Sequence, residues 1–296
     1  MGDYGRPLEF GYFLVPEAGE PLLDRARTAD RLGLDLIGVQ DHPYQRRYVD
    51  TWTLLSMIAA VTERVRVFPD VANLPLRPPA VLAKAAASLS VLSGGRAELG
   101  LGAGGFWDAI EAYGGARRGP GAALGALDEA ITVIRKIWSQ ERNLRFEGEH
   151  YRLAGANAGP APAPGMELWL GVRGPRALAL TGARADGWLP SSPWATPELL
   201  PGLNARIDDA ARAAGREPRA VRRLYNVSGV ITGGPSEGFL RGPAGQWAEE
   251  LTDLAVGYGM DTFVLWPDGD QETQLRRFAE EVVPDVRERV AREREG

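Results

Sequence analysis

The chain has 296 residues, and its 34 Lys and Arg against 39 Asp and Glu give a formal net charge of −5. This acidic balance argues against a nucleic-acid-binding protein, which normally carries a basic face, and the 44% hydrophobic content argues against disorder. Cysteine is absent and only two histidines occur, so disulfides and a thiol nucleophile are excluded and we predict no metal site.

No segment of the sequence is typical of membrane insertion or secretion. The longest apolar stretches, such as residues 54–61, are far too short to span a bilayer. The first residues also lack the basic segment followed by an apolar one that marks a signal peptide. We therefore expect a cytoplasmic protein without a membrane partner.

The first third of the chain alternates short apolar runs with stretches of helical periodicity. In the first such stretch, Gly33 follows the last apolar residue and suits a left-handed helix cap. Predicted strands cover residues 8–15, 34–39, 64–71 and 96–101, and predicted helices cover 21–32, 51–62 and 79–92. Strand-then-helix units that recur roughly every 30 residues favour a parallel sheet.

This alternation pauses after the fourth strand and then resumes. The pause holds a long amphipathic helix at 120–138, a hairpin in 143–153 that turns at Glu147–Gly148, and an irregular Ala/Gly/Pro-rich loop at 154–165. Later strands are predicted at 167–172, 186–190, 222–231 and 261–266, with helices at 175–183, 197–214, 243–258 and from 271 to about 292.

Eight strands, each followed by a helix, predict an α/β fold of the (β/α)8 TIM-barrel type. We expect residues 1–296 to form one barrel domain, with a hairpin and loop insertion at 143–166 between strands four and five. A doubly wound sheet is the alternative, although it more often has fewer strands. In a barrel, functional residues are expected at the carboxyl ends of the strands.

Strand two ends in Asp41-His42-Pro43-Tyr44, which places one of the two histidines beside a carboxylate at that face. An imidazole titrates near neutral pH and can donate or accept a proton, so we predict that His42 and Asp41 are catalytic. The alternative is that Asp41 caps a turn and His42 is a polar residue of the rim. His150, in the predicted hairpin, is expected to be an exposed surface residue.

Strands three and four end in small residues that would let a ligand approach the backbone. After strand three come Val71, Ala72 and Asn73, although an ordinary loop is an equal alternative. After strand four come Gly102, Ala103, Gly104 and Gly105, in a run that has the letters G-x-G-x-x-G. A dinucleotide fingerprint needs a further strand ending in an acidic residue about 20 positions later, and this region instead begins a helix. A flat ring lying close to the glycines is the better interpretation.

Strand five is followed by Arg173-Gly174-Pro175-Arg176. Proline suits the first helical position, and the free N–H groups of a helix start, with two arginines beside them, suit a phosphate. Together with the glycine run, this predicts a phosphorylated aromatic cofactor. Aromatic residues that could line a substrate pocket are Tyr44, Phe106, Trp107, Trp194 and Trp266, although core packing explains most tryptophans equally well.

The sequence resembles the bacterial luciferase-like superfamily of flavin- and deazaflavin-dependent oxidoreductases over nearly its whole length. The matching segments are Asp41-His42, Leu82-Ala83-Lys84-Ala85, Leu92-Ser93-Gly94-Gly95-Arg96, Gly100 to Gly104, Gly174-Pro175-Arg176 and Leu180 to Trp188. The resemblance implies FMN or its relative coenzyme F420 at the barrel mouth, with the phosphate around Gly174, Pro175, Arg176 and Ala177. It also implies that residues 71–73 and 102–105 flank the ring, that His42 lies near the reacting edge, and that the chain forms a homodimer through 51–62 and 79–92.

Two further details follow from the resemblance. Members of the deazaflavin branch often carry a non-proline cis peptide in the bulge after strand three, which by analogy falls at Val71–Ala72 here. The deazaflavin sugar-phosphate dehydrogenases carry an acidic proton donor just after the glycine run, where this chain has Gly105. Because Asp108 and Glu111 are weak substitutes for that donor, we do not expect sugar-phosphate dehydrogenation.

The cofactor decides the chemistry, because the protein mainly binds and orients it. Reduced FMN with O2 would oxidise a small organic substrate, whereas F420 would pass hydride to or from carbon. We favour the FMN-dependent monooxygenase, with the F420-dependent oxidoreductase as the alternative and a non-catalytic flavin-binding barrel as a second one. A metal-dependent hydrolase would need more histidines at the strand ends. Loops 154–165, 191–202 and 232–242 are expected to shape the substrate pocket without revealing the substrate.

Overall fold

The computed structural model describes residues 2–295 of the chain. The strands in this range are Glu9–Leu14 (β1), Leu36–Val39 (β2), Arg66–Pro69 (β3), Ala72–Asn73 (β4), Leu99–Gly102 (β5), Leu144–Glu147 (β6), Arg152–Ala156 (β7), Leu168–Leu170 (β8), Gly187–Trp188 (β9), Arg222–Ile231 (β10), Arg241–Gly242 (β11) and Thr262–Pro267 (β12).

The α-helices alternate with the barrel strands. They are Leu22–Arg31 (α1), Thr51–Val61 (α2), Pro79–Leu92 (α3), Trp107–Ala112 (α4), Pro120–Trp138 (α5), Pro175–Arg184 (α6), Leu200–Ala213 (α7), Ala244–Val256 (α8), Gln271–Arg277 (α9) and Val283–Glu295 (α10). A π-helical turn, Phe278–Val282, joins the last two, so the single terminal helix that the sequence predicts is interrupted.

The main sheet is a nearly closed parallel barrel. Its strand order is β3-β2-β1-β12-β10-β9-β8-β5-β4, and every neighbouring pair is parallel. The ring closes where the Val67 N–H donates to the Arg96 carbonyl over 3.0 Å and the Glu98 N–H donates to the Val67 carbonyl over 3.0 Å. Because the third barrel strand is interrupted and appears as β3 and β4, the barrel has nine segments. The predicted (β/α)8 barrel is therefore confirmed.

The interruption of the third strand differs from the prediction. The structure has a cis peptide bond at Asp70–Val71, so its predicted position at Val71–Ala72 is wrong by one bond. The predicted strand over 64–71 ends at Pro69, and the chain then shifts sideways to pair Ala72 with Leu101 in β5. The bulge thus places Val71 between the strands at the mouth of the barrel.

The insertion between β5 and β8 also differs in detail. The hairpin forms, but its turn spans Gly148 to Tyr151, and β7 continues to Ala156, inside the predicted loop. The reason is Glu129 on α5, whose carboxylate accepts the backbone N–H groups of Glu149, His150 and Tyr151 over 2.7, 2.9 and 3.0 Å. Tertiary contact with α5 therefore shapes the turn.

Successive side chains on a strand point to opposite faces, so every second residue of each barrel strand faces inward. The amino-terminal layer of the interior is ionic, with Arg66 and Arg222 contacting carboxylates of other strands: Glu9, Glu98, Glu167 and Asp261. Burial raises the pKa of Glu98 to about 7 and that of Asp261 to about 6. This layer closes one end of the barrel.

An apolar layer lies above the ionic one and fills the middle of the barrel. It consists of Phe13, Leu36, Phe68, Trp169, Leu189, Leu224 and Val264. A larger apolar cluster packs the outer faces of the strands against the helices. Within residues 2–295, the barrel is therefore open to a ligand only at the carboxyl ends of the strands. Functional sites in this fold generally lie at that end.

Two further observations concern the described residues 2–295. No helix there is both long and apolar enough to cross a membrane. In the same range, no three His, Asp or Glu side chains are grouped closely enough to hold a metal ion.

Candidate cofactor and active site

The inner layer nearest the mouth is polar and is built around Asp70. The side chain of Asp70 is buried, and its Oδ1 accepts a hydrogen bond from Asn226 Nδ2 over 3.1 Å. Asn226 also donates to Ser191 Oγ over 3.2 Å. Burial raises the pKa of Asp70 to about 7, although the hydrogen bond from Asn226 lowers it. The sequence analysis missed both residues, and counting every second residue along β3 and β10 would have found them.

Several polar atoms in and beside this layer have no hydrogen-bond partner within residues 2–295. They are Asp70 Oδ2, Asn73 Oδ1 and Asn226 Oδ1, and all three are buried. Buried polar atoms are normally paired, so each unpaired one needs an explanation such as water or a ligand. These atoms mark the floor of the candidate site as a place where polar groups of a ligand fit.

The Val71 bulge explains part of the glycine run. A Cβ at Gly102 would stand 2.7 Å from Val71 Cγ2, one at Gly171 would stand 3.0 Å from it, and one at Gly100 would stand 2.3 Å from the Pro69 carbonyl oxygen. Gly100 and Gly102 are therefore required by the chain itself, independently of any ligand ring. This corrects the expectation that the whole run exists to admit a ring.

The end of the glycine run remains available to a ligand. Gly104 has a φ of +99°, and a Cβ there would meet Pro75 and Trp107. Gly105 is exposed, with no atom within 4 Å of where its Cβ would stand. Ala103 is half-buried and packs on the core, while Ala72 is fully buried. Gly105 is therefore the position of the run at which the backbone is open.

Asp41 connects two loops at the mouth of the barrel. Its two carboxylate oxygens accept hydrogen bonds from Arg77 Nε and Nη2 over 2.7 Å each, and Oδ2 also accepts the Asn73 N–H over 2.9 Å. The Asp41 side chain has no exposed surface. Direct contact with a substrate is thus blocked, and the carboxylate instead ties the loop after β2 to the bulge. Arg77 was missed because its partner lies 36 residues away in sequence.

His42 stands beside Asp41 in an aromatic cluster. Its ring stacks on Tyr44, with centroids 5.4 Å apart, and meets the edge of Phe106 at 5.3 Å. Burial lowers the pKa of His42, and the negative charge of Asp41 raises it by less. The imidazole is therefore uncharged at neutral pH and can accept a proton. Phe106 is 60% exposed and forms the outer wall of this cluster.

The start of α6 has the features that a phosphate group needs. Gly174 is the N-cap, Pro175 follows, and no side chain caps the first turn. No atom lies within 4 Å of a Cβ position at Gly174, so the approach is open. Arg173 and Arg176 are exposed, and within residues 2–295 neither forms an ion pair. The residues present therefore fit a phosphorylated cofactor, with the N–H of Ala177 in the first turn.

The remaining predicted residues occupy different places. Trp194 is 62% exposed, and the guanidinium of Arg173 lies over its ring at 5.2 Å from the centroid. Trp266 is half-buried at the end of β12 and stacks on Phe13, with centroids 4.8 Å apart. His150, which the sequence predicts to be exposed, is half-buried against Gly125 of α5 and lines a surface cavity together with Arg176.

The fold is that of a TIM-barrel protein, and its mouth carries an uncharged histidine and an open helix start of the kind that suits a phosphate group. The chain belongs to the luciferase-like monooxygenase family, whose profile matches residues 8–237, and it is thus a luciferase-like oxidoreductase. It is 32% identical over 234 residues to the F420-dependent glucose-6-phosphate dehydrogenase of Kineococcus radiotolerans, which covers 74% of this chain and 68% of the relative. The resemblance inferred from the sequence is confirmed.

Solved structures show the same fold. An F420-dependent secondary alcohol dehydrogenase in complex with an F420–acetone adduct superposes with a TM-score of 0.84 and 20% identity, over 95% of this chain and 99% of the other. A monooxygenase from Streptomyces bottropensis superposes with a TM-score of 0.78 and 20% identity, over 94% of this chain and 99% of the other. At such identities these likenesses concern the fold alone.

Proposed function

We propose that this protein is a coenzyme F420-dependent oxidoreductase that transfers hydride between the coenzyme and a small organic alcohol or carbonyl compound. This reverses the order of the two hypotheses drawn from the sequence, in which reduced FMN with O2 came first. The observation that carries the proposal is the similarity to an F420-dependent dehydrogenase over 74% of the chain.

The proposed cofactor contacts follow the geometry of the mouth. The phosphate is held by the first turn of α6, with Arg173, Gly174, Pro175, Arg176 and Ala177. The ring lies between two segments, the bulge of Val71, Ala72 and Asn73 and the glycine run of Gly102, Ala103, Gly104 and Gly105. When bound, F420 supplies a ring carbon that accepts or donates hydride.

His42 is the proposed catalytic residue of the chain itself. Its uncharged imidazole accepts the proton of a substrate hydroxyl as the hydride leaves, and it returns that proton in the reverse direction. Tyr44 and Phe106, which pack on the imidazole, exclude water from it, and we propose that Trp107, Trp194 and Trp266 complete the substrate pocket. Asp41 serves as a positioning residue because Arg77 and the backbone occupy its oxygens.

The substrate class proposed here is not a sugar phosphate. Gly105 stands where the sugar-phosphate dehydrogenases carry an acidic proton donor, and the next acidic residues along the chain do not replace it. Asp108 and Glu111 both pair with the exposed Arg117 on the surface of α4. A small alcohol or ketone fits this arrangement better. Its oxidation or reduction requires one proton transfer, which His42 can perform without a second acid.

The deciding experiment is an anaerobic titration with F420 and FMN side by side, followed by admission of oxygen to each reduced complex. We expect tight binding of F420 and a reduced complex that survives oxygen. Tighter binding of FMN, with rapid oxygen consumption and transfer of an oxygen atom to substrate, would establish the FMN-dependent monooxygenase instead. That second candidate is favoured by the name of the family.

Variants then test the residues separately. His42→Ala is expected to abolish turnover while the cofactor still binds, and Glu63→Ala, at an exposed position before β3, is the control. Arg176→Ala combined with Gly174→Val is expected to weaken cofactor binding, with the exposed Arg142→Ala as control. Unchanged turnover in the first variant, or unchanged binding in the second, refutes the corresponding assignment.

We also propose a homodimer formed through α2 and α3. Four large apolar side chains on these helices are strongly exposed: Met57 at 48%, Val81 at 66%, Val91 at 50% and Leu92 at 85%. Exposed apolar side chains gathered on neighbouring helices are a common sign of a protein interface. A monomer in sedimentation equilibrium would refute this assembly.

A further inference from the structure

Asp41 and His42 are neighbours in sequence, and this proximity has an electrostatic consequence. A carboxylate beside an imidazole favours the protonated, positively charged imidazole. A protonated His42 cannot accept the proton of a substrate hydroxyl. Burial outweighs this effect and lowers the pKa of His42, and a group that offsets the Asp41 charge would act in the same direction as burial.

Arg77 is placed to provide that offset. Its guanidinium meets the Asp41 carboxylate in a two-pronged contact, with Nε to Oδ2 and Nη2 to Oδ1 at 2.7 Å each. Its Nη2 also donates to Asp50 Oδ1 over 2.8 Å, and Asp50 in turn caps α2 by accepting the Thr53 N–H over 2.9 Å. The arginine is thereby held in place from both sides.

The surroundings of the imidazole contain few other charges. Besides Asp41, the ionisable side chain packed on the ring is Tyr44, whose pKa burial raises to about 12, so that it is uncharged near neutral pH. From the loop after β5 the ring meets Phe106, which carries no charge. Asp50 contacts Arg77, which lies between Asp50 and Asp41. Burial has the larger effect on the charge state of His42, and Asp41 is the charged group that opposes it.

We propose that Arg77 is a positioning residue that, together with burial, helps to keep His42 uncharged by neutralising the Asp41 carboxylate. The inference rests on the proposed function, because the uncharged imidazole is what that function uses. An arginine suits this task better than a lysine, since its planar fork matches both carboxylate oxygens at once. The salt bridge therefore acts on the chemistry through the protonation of a third residue.

The test is a pH titration of the His42 ring by NMR on the whole chain without cofactor. With only His42 and His150 present, His150→Gln assigns the two signals. We expect the His42 midpoint to move upward in Arg77→Met, because the Asp41 charge is then uncompensated. Arg77→Lys, which keeps a positive charge, should lie nearer to wild type, and the double variant Arg77→Met with Asp41→Asn should lose the upward shift.

An unchanged His42 midpoint in folded Arg77→Met overturns the proposal. If that variant does not fold, the Asp41→Asn background decides: adding Arg77→Met there must raise the midpoint above that of Asp41→Asn alone, and equal midpoints overturn the proposal. With activity as a second readout, the acidic limb of the pH–rate profile should follow the NMR midpoint in each variant. The NMR result is independent of cofactor, so its failure is distinguishable from failure of the proposed function, which His42→Ala tests.

Discussion

Replacing Asp70 by Asn should change how the stability of the protein depends on pH. The Asp70 carboxyl is buried, its one hydrogen-bond donor is the neutral amide of Asn226, and one of its oxygens has no partner within residues 2–295. Burying an uncompensated carboxylate is costly, so the group holds its proton. Its pKa accordingly rises from an ordinary 3.8 to about 7.

The sign and size of the effect follow from linkage. Between these two pKa values the folded state binds more protons than the unfolded state, so the free energy of unfolding falls as the pH rises. For a shift from 3.8 to about 7, the stabilisation from Asp70 falls by about 3 kcal/mol between pH 5 and pH 8. Asp70→Asn cannot ionise and lacks this loss, so it should gain that amount relative to wild type over the same interval.

Urea unfolding of both proteins at a series of pH values measures this difference. Glu98 and Asp261 also have raised pKa values, but they are present in both proteins and cancel in the comparison. Asp270→Asn is a control, because the hydrogen bonds from Thr273 lower the pKa of Asp270 below its ordinary 3.8; its stability gap from wild type should stay constant between pH 5 and pH 8 and change only at lower pH. A stability gap between Asp70→Asn and wild type that is the same at pH 5 and pH 8 would show that Asp70 is ionised in the folded protein, and the reasoning from burial would be refuted.

Three other predictions concern packing and assembly. Gly102→Ala places a Cβ 2.7 Å from Val71 Cγ2 and should lower the free energy of unfolding by roughly 1–3 kcal/mol; Val71→Ala should restore much of it in a double-mutant cycle, and additive losses would contradict the steric explanation. Glu129→Ala removes the acceptor for three backbone N–H groups at 149–151, so hydrogen exchange there should accelerate while the barrel strands stay protected; equal acceleration in both would contradict it. Leu92→Glu should turn the proposed dimer into a monomer in sedimentation with unchanged circular dichroism, and a persistent dimer would place the interface elsewhere.

Local signals predicted the elements where they are strong. The bounds of α3 and α5 agree with the sequence prediction because proline stands at the start of each helix, and Gly33 adopts the predicted left-handed conformation, with a φ of +82°. The eight-strand rhythm was sufficient for the barrel, because parallel strands joined by helices close in few ways.

The details of the site depend on contacts that local patterns do not contain. The Asp70–Val71 bulge is stabilised by glycines on β5 and after β8, about 30 and 100 residues away in sequence. Asp41 was predicted to be catalytic because it adjoins His42 in sequence. Its salt bridge with Arg77 forms only where the loops after β2 and β4 come together in the fold. Asp70 was counted as the end of a strand, and its partner Asn226 comes from the other side of the barrel.

The ionic layer of Arg66 and Arg222 with its four carboxylates lies at the opposite end of the cylinder from the mouth, with the apolar plug between them. The ionic layer that joins the strands therefore shares no side chain with the loops at the mouth. The loops can therefore be exchanged, in evolution or by design, for loops that bind other molecules while the ion pairs between the strands stay intact.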